Sequence, residues 1–196
     1  MYKENNLWNI EKYNKIAPKY DSKMRLFLPN KYRRLVASYF VKGSVLDVAC
    51  GTGTVLKYAY QKGLDCYGID LSGGMIGEAK LKVPEIELKI ASYYNIPFND
   101  NQFDYVVATY ALGGTDIDIN KALSEMIRVC KKNGQIIILD WQKKEKENLL
   151  DKIFIKIAKL SEDTPGDFSK VFSEKGYKSE IIRLSYAISI IKMMKC

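Results

Sequence analysis

The 196-residue sequence contains no histidine. This absence excludes a Ser-His-Asp triad, a Cys-His dyad, a zinc site built on imidazole, and an imidazole acid or base. Any catalytic chemistry must therefore depend on carboxylates, tyrosine, lysine, cysteine or a cofactor, and we expect no obligate metal.

Paired cysteines and long apolar runs are also missing. The four cysteines, at positions 50, 66, 130 and 196, form no CxxC pair. No apolar run approaches the roughly 18 residues that a membrane span requires, and the first 42 residues are charged and aromatic throughout, with no secretory segment. These features predict reduced thiols and a cytoplasmic protein.

Arginine is scarce, with five residues among 31 basic ones, and the net charge is +8. Residues 1–42 hold ten basic and three acidic residues, residues 43–141 hold nine and twelve, and residues 142–196 hold twelve and eight. The positive charge therefore lies at the two ends of the chain. It can steer an anionic substrate, a lipid surface or RNA to the protein, or form a solvated surface with no specific partner.

The middle of the chain alternates short β-rich runs with amphipathic helical patterns. Strands are predicted at residues 44–49, 65–70, 86–91, 103–110 and 135–140. Helices are predicted at 54–61, with Gly63 as the terminating glycine, and at 119–130. A third, short helix is predicted to begin after Ser72, which can serve as its N-cap, and a turn is predicted at 132–134 before the fifth strand. This alternation is typical of a parallel sheet with helices on both faces.

The ends of the chain follow a different pattern. Apolar stripes predict helices at 32–40 and 149–158, a loop at 161–167, and one or two helical turns at 168–175. Two final runs, 178–184 and 187–193, predict an antiparallel hairpin at the sheet edge. We therefore expect a single domain over 1–196, with a helical cap (1–42), a core (43–141), and a helix and hairpin (142–196). The fold class is α/β, a Rossmann-like doubly wound sheet of seven strands, mostly parallel with an antiparallel last strand.

A glycine-rich turn carries the strongest functional signal. The segment VLDVACGTG, residues 45–53, passes from a strand into a helix, and Gly51 and Gly53 let a ligand approach the backbone closely. Asp70 ends the next strand, 23 residues after Asp47. In nucleotide-binding folds an acid at this place binds ribose hydroxyls at the carboxyl end of the sheet.

At this point the sequence resembles the class I S-adenosylmethionine-dependent methyltransferases. VLDVACGTG, YGIDLSGGM, YYNIPFNDNQFDYVVATYAL and EMIRVCKKNGQIIILDW occur in the order found in that family. The resemblance covers residues 10–141. It is nearest to the small-molecule branch that includes the ubiquinone/menaquinone C-methyltransferases and the phospholipid N-methyltransferases.

The resemblance implies a set of residues that bind S-adenosylmethionine. The methionine part would contact the glycine-rich turn, the ribose would bind Asp70, and the adenine would pack on the residues that follow the second and third strands. The implied residues are Tyr20, Asp47, Ala49, Cys50, Gly51, Thr52, Gly53, Asp70, Leu71, Met75, Ser92, Tyr93 and Ala108.

The sequence departs from the family pattern at three places. Ala49 replaces the first glycine of the loop, Ser92 replaces an acid near the adenine amine, and Gly113-Gly114 stands where many relatives carry histidines. Tyr110, next to the implied methyl site, is the local candidate for orienting a substrate.

The expected function is methyl transfer to a small-molecule or lipid acceptor by in-line displacement, because the cofactor supplies the activated methyl group and the protein aligns the nucleophile. Two alternatives stay open: an RNA or protein methyltransferase, and a non-catalytic protein that binds S-adenosylmethionine. The methyl acceptor and the oligomeric state cannot be deduced from the sequence.

Overall fold

The structure, a computed structural model, describes residues 5–24, 29–113, 117–142, 149, 165–185 and 188–194. The predicted helix at 149–158, apart from Leu149, lies outside this part of the chain, as does Gly114. Contacts between residues divide the chain into two units, 1–97 and 98–196.

The first unit contains five helices and three strands in its described part. They are α1 (Asn5–Ile16), a 3₁₀ turn (Ala17–Lys19), α2 (Tyr20–Met24), α3 (Asn30–Ser38), β1 (Ser44–Val48), α4 (Thr54–Tyr60), β2 (Asp65–Asp70), α5 (Gly73–Lys82) and β3 (Glu87–Ile90). β1 pairs with β2, and β2 with β3, both in parallel. The carboxyl ends of β1, β2 and β3 therefore point in the same direction.

The capping signals that the sequence carries in this unit are present in the structure. Gly63 has a φ of 79°, and the N–H of Leu64 donates to the carbonyl of Ala59 at 3.3 Å after α4 ends. This is the left-handed termination that favours glycine. Ser72 caps α5, since its Oγ accepts from the N–H of Met75 at 3.1 Å.

The second unit holds the other four strands. Its described elements are β4 (Phe103–Thr109), α6 (Ile119–Val129), β5 (Cys130–Trp141), α7 (Phe168–Glu174), β6 (Lys178–Ser185) and β7 (Ile188–Met194). β4 and β5 are parallel, whereas β7 is antiparallel to both β5 and β6. The strand order is β3-β2-β1-β4-β5-β7-β6, so the predicted α/β class, the antiparallel last strand and the edge hairpin are confirmed.

Two sequence predictions in this unit were wrong in detail. Residues 132–134 are not a turn but part of β5, which begins at Cys130. Their turn-like composition reflects a bulge, because the register of β4 and β5 shifts between Phe103 and Tyr105. β4 also ends before Tyr110, whose φ of 55° leaves the extended range.

Helix α6 shows how local signals and burial agree. Asp118 caps it, accepting from the N–H of Lys121 at 3.0 Å, and one face of the helix is fully buried through Ala122, Leu123 and Met126. In the part of the chain that the structure describes, no helix combines the length and apolar content needed to cross a membrane.

Candidate functional site

The loop after β1 takes an unusual backbone path. Three of its residues have left-handed φ angles: Ala49 at 56°, Gly51 at 53° and Gly53 at 72°. An added Cβ on Gly51 would meet no atom within 4 Å, whereas on Gly53 it would lie 3.0 Å from the Cβ of Ala79 in α5. The space beside Gly51 is therefore open to a ligand, and Gly53 packs the start of α4 against α5. Ala49 adopts the conformation that a glycine usually occupies.

Asp70 links this loop to the turn after β2. Its Oδ2 accepts from the N–H of Gly51 at 2.8 Å, and its Oδ1 accepts from the N–H of Ser72 at 2.8 Å. Burial raises the pKa of Asp70, although the backbone N–H groups of Ser72, Gly51 and Leu71 oppose the rise. The carboxylate is thereby fixed in direction, with lone pairs left to accept from a ligand hydroxyl.

Asp47 lies on β1 with its side chain almost fully buried. Within the described residues, neither of its carboxylate oxygens accepts a hydrogen bond. Burial raises its pKa to about 8, Arg33 opposes this rise and Asp70 adds to it. An unsatisfied carboxyl group of this kind is costly in a protein interior and fits a site completed by a polar or cationic ligand.

Arg33 supplies a positive charge that the sequence analysis missed. The buried face of α3 consists of Arg33, Val36 and Ala37, with Phe40 one turn further. Arg33 thus occupies a core position of the helix. Its charge acts on the carboxylates of both Asp47 and Asp21.

The amino-terminal helix α1 is joined to the start of α5 by one side chain. The Oδ1 of Asn14 accepts from the Oγ of Ser72 at 2.6 Å and from the N–H of Gly74 at 2.9 Å. An added Cβ on Gly74 would lie 2.8 Å from the Cα of Asn14. The close approach therefore requires glycine at position 74.

Helix α2 is connected to the glycine-rich loop by a charged network. Asp21 accepts from the Oγ1 of Thr52 at 2.7 Å and forms a 2.6 Å ion pair with Lys82, which also donates to Thr52 at 3.0 Å. Burial opposes the ionisation of Asp21, but the hydrogen bonds from Lys82 and Thr52 lower its pKa. Tyr20, the first residue of α2, is half-buried and packs edge-to-face on Tyr13.

The residues implied for the adenine end lie after β2 and β3. Met75 is buried in α5 and Leu71 is half-buried before it. Ser92 and Tyr93 follow β3, and Ser92 lines an open cleft with Lys89, Ile90, Ala91, Asn95 and Pro97. The Oγ of Ser92 accepts from the N–H of Tyr94 at 3.1 Å, so one lone pair and the hydroxyl hydrogen are left for a ligand.

Cys50 lies beneath the glycine-rich loop. Its side chain is buried, and burial raises the pKa of its thiol further above its usual range. The thiol is therefore neutral. Its sulfur packs against β2, where it would lie 3.0 Å from a Cβ added to Gly68.

The second unit holds the two remaining predicted residues, Ala108 and Tyr110. Ala108 is buried near the end of β4, opposite Ile138 of β5. Tyr110 comes directly after the strand, its N–H donates to the carbonyl of Leu139 at 2.7 Å, and its hydroxyl is shielded from solvent. Among the described residues, no cluster of three or more His, Cys, Asp or Glu side chains could hold a metal ion.

Comparison with known proteins identifies the kind of chain to which this geometry belongs. A family model described as a methyltransferase domain matches residues 46–138. A ubiquinone/menaquinone biosynthesis C-methyltransferase from Campylobacter jejuni is 31% identical over 153 residues, covering 70% of this chain and 65% of the relative. A demethylmenaquinone methyltransferase from Renibacterium salmoninarum is 35% identical over 135 residues, covering 66% of this chain and 56% of the relative.

The same fold occurs in a solved S-adenosylmethionine-dependent methyltransferase from Thermotoga maritima. That structure matches with a TM-score of 0.75 and 16% identity, covering 96% of this chain and all of the other. The chain spans 65% and 56% of the lengths of these two curated relatives.

The contact between α1 and α5 predicts opposite effects of two identical substitutions. Gly74→Ala should destabilise the protein by about 1–3 kcal/mol, because the new methyl group meets the backbone of Asn14. Gly77→Ala, in the same helix with open space around it, should stabilise by about 0.5–1 kcal/mol through helix propensity. Urea unfolding of both variants measures this, and equal effects would contradict the contact.

The buried Asp47 predicts a pH-dependent difference between the wild type and Asp47→Asn. In the unfolded chain Asp47 loses its proton near the ordinary aspartate pKa of 3.8, but in the folded chain only at a pKa of about 8. The folded state therefore binds more protons between these values, and the wild type loses stability as pH rises through that window. Urea unfolding at pH 5 and pH 9 should show the wild type falling relative to Asp47→Asn, and a constant difference would refute the assignment.

Proposed function

The chain belongs to the class I S-adenosylmethionine-dependent methyltransferases, and on that premise we propose that it transfers the cofactor's methyl group to a small-molecule acceptor. One observation carries the proposal most directly. It is the carboxylate of Asp70, held by the N–H groups of Gly51 and Ser72 beside an open glycine-rich turn. This arrangement suits a ligand that presents hydroxyl groups.

The first unit fits the ribose and adenine of S-adenosylmethionine. Asp70 would accept hydrogen bonds from the ribose hydroxyls with the lone pairs that Gly51 and Ser72 leave unused. Leu71 and Met75 would pack on the adenine, and Ser92 with Tyr93 would flank its exocyclic amine. The hydroxyl of Ser92 supplies one neutral contact, weaker than the charged acceptor it replaces.

The methionine end of the cofactor carries an ammonium and a carboxylate. The unsatisfied carboxyl of Asp47 would face the positive group, and Arg33 the negative one. Ala49, Gly51 and Gly53 would border this part along the loop. For Ala108, in the second unit, the family resemblance implies a carbonyl contact with the cofactor. Tyr20 would cover the cofactor from α2, which Asp21 ties to Thr52.

When bound, the cofactor would supply a methyl group already activated on a sulfonium, from which the acceptor would displace the sulfur as leaving group. The protein has to hold the nucleophile in line and exclude water. Tyr110, whose hydroxyl is shielded from solvent, is the side chain that we propose orients the acceptor. After the transfer, the proton that the acceptor loses passes to the bulk solvent.

A reduced quinone is the acceptor class that we propose. The relatives from Campylobacter jejuni and Renibacterium salmoninarum carry names of quinone C-methyltransferases, and a hydroquinone ring has an electron-rich carbon that can attack a sulfonium methyl. The basic ends of the chain are compatible with this acceptor lying in an anionic lipid surface. We propose a cytoplasmic location, since the buried thiols of Cys50 and Cys66 form no disulfide within the described residues.

Cofactor binding is tested with a matched pair of aspartates at the two ends of β2. Asp70→Ala should weaken binding of S-adenosylhomocysteine by about 10- to 100-fold, because it removes a charged acceptor of ligand hydroxyls. Asp65→Ala changes an exposed residue at the other end of the strand and should leave binding unchanged. Calorimetric titration measures both dissociation constants; no heat with the wild type would end the cofactor assignment.

The acceptor is tested with radiolabelled S-adenosylmethionine and three substrates: a short-tailed demethylmenaquinol, total RNA and a mixed protein extract. We expect label in the quinol alone, and no label when the quinone is left oxidised, since the oxidised ring is a poor nucleophile. Label in RNA or protein would replace the proposed acceptor. Tight cofactor binding with no label in any substrate would instead favour a non-catalytic binding protein.

A further inference from the structure

Asp140, in the second unit, was not singled out by its sequence context. It stands near the carboxyl end of β5 and is 1% exposed. A buried carboxylate requires hydrogen-bond donors around it. In this chain the donors are backbone N–H groups from the segment that follows β4.

Three consecutive amides converge on one oxygen of this carboxylate. The Oδ2 of Asp140 accepts from the N–H groups of Ala111 at 3.1 Å, Leu112 at 2.8 Å and Gly113 at 3.2 Å. The Oδ1 accepts from the N–H of Trp141 at 2.8 Å. Oδ2 thus takes three donors, more than its two lone pairs can fully serve, and the buried carboxylate is directed toward the backbone of this segment.

The same contacts determine the position of Tyr110. Tyr110 follows Thr109, which forms the last residue pair of β4 and β5 with Leu139. The N–H of Tyr110 donates to the carbonyl of Leu139 at 2.7 Å. Its φ of 55° is a left-handed conformation that a tyrosine rarely adopts. Such a backbone persists only when surrounding contacts enforce it, and the amides next along the chain are the ones that Asp140 holds.

We infer that Asp140 is a positioning residue for the methyl acceptor: it fixes residues 111–113 and thereby directs Tyr110. The inference rests on the proposed function, in which Tyr110 orients the acceptor. Ligands in open α/β sheets gather at the carboxyl ends of the strands, and the segment that Asp140 holds begins at that end of β4. Asp140 acts without touching the substrate.

The kinetic test compares Asp140→Ala, Asp140→Asn, Tyr110→Phe and the control Asp104→Asn. Asp104 lies on β4 and pairs at 2.8 Å with Lys131, so the control removes a carboxylate from the same pair of strands without touching the segment. With a short-tailed demethylmenaquinol, Asp140→Ala should lower kcat/KM for the quinol by at least about tenfold. The dissociation constant for S-adenosylhomocysteine should change less than about twofold.

Asp140→Asn keeps one oxygen for the three amides but turns a donor toward the N–H of Trp141. It should recover part of the activity, so the order is wild type, Asn, Ala. Combining Tyr110→Phe with Asp140→Ala should cost little more than Asp140→Ala alone, because both changes act through one side chain. Equal losses of cofactor affinity and of quinol turnover would indicate a merely structural role and overturn the inference.

Amide hydrogen exchange separates this inference from the proposed function, since it requires no turnover. The N–H groups of Ala111, Leu112 and Gly113 should exchange slowly in the wild type, rapidly in Asp140→Ala and at an intermediate rate in Asp140→Asn, while that of Val107 in β4 stays protected. Unchanged protection in both Asp140 variants would refute the inference even if the quinol is methylated. If the wild type methylates no quinol but the amides respond, the acceptor proposal fails and the control of the segment by Asp140 stands.

Discussion

The proposed cofactor site of the first unit depends on the two hydrogen bonds that the carboxylate of Asp70 accepts. Its two oxygens accept from Gly51 and Ser72, which belong to the loop after β1 and the turn after β2. Those segments precede α4 and α5, and they include positions that we propose contact the cofactor. Removing this carboxylate would therefore affect both the proposed ligand contact and the shape of the loop.

Three aspartates near strand ends show how hydrogen-bond saturation separates roles. Asp140 is buried and is held by four backbone donors, three of them on Oδ2. Asp70 receives two at 2.8 Å and keeps lone pairs for hydroxyl groups. Asp47 receives none within the described residues, and its pKa rises to about 8 as a result of burial. A fully satisfied carboxylate shapes the backbone, a partly satisfied one binds polar ligands, and an unsatisfied one requires a partner.

Periodicity and motif order were enough to predict the α/β class, the mostly parallel sheet and the antiparallel last strand. They failed at residues 132–134, because a bulge within β5 has the composition of a turn. Arg33, Asn14 and Asp140 were missed because their roles depend on distant partners. Arg33 did leave a signal: it stands three residues before Val36, on the buried face of α3. A charge at a core position of an apolar stripe calls for a buried counter-charge.

The lack of histidine favours one acceptor class once these contacts are considered. Asp140 is shielded from solvent and held by backbone N–H donors, so we assign it no role in proton transfer. An amine or alcohol acceptor gains from a base that removes its proton before or during attack. A hydroquinone needs none of comparable strength, because its ring carbon attacks through the electron-rich ring and loses its proton readily after the new bond has formed. Carbon methylation of a reduced quinone, the reaction that we propose, is therefore compatible with a chain that has no imidazole.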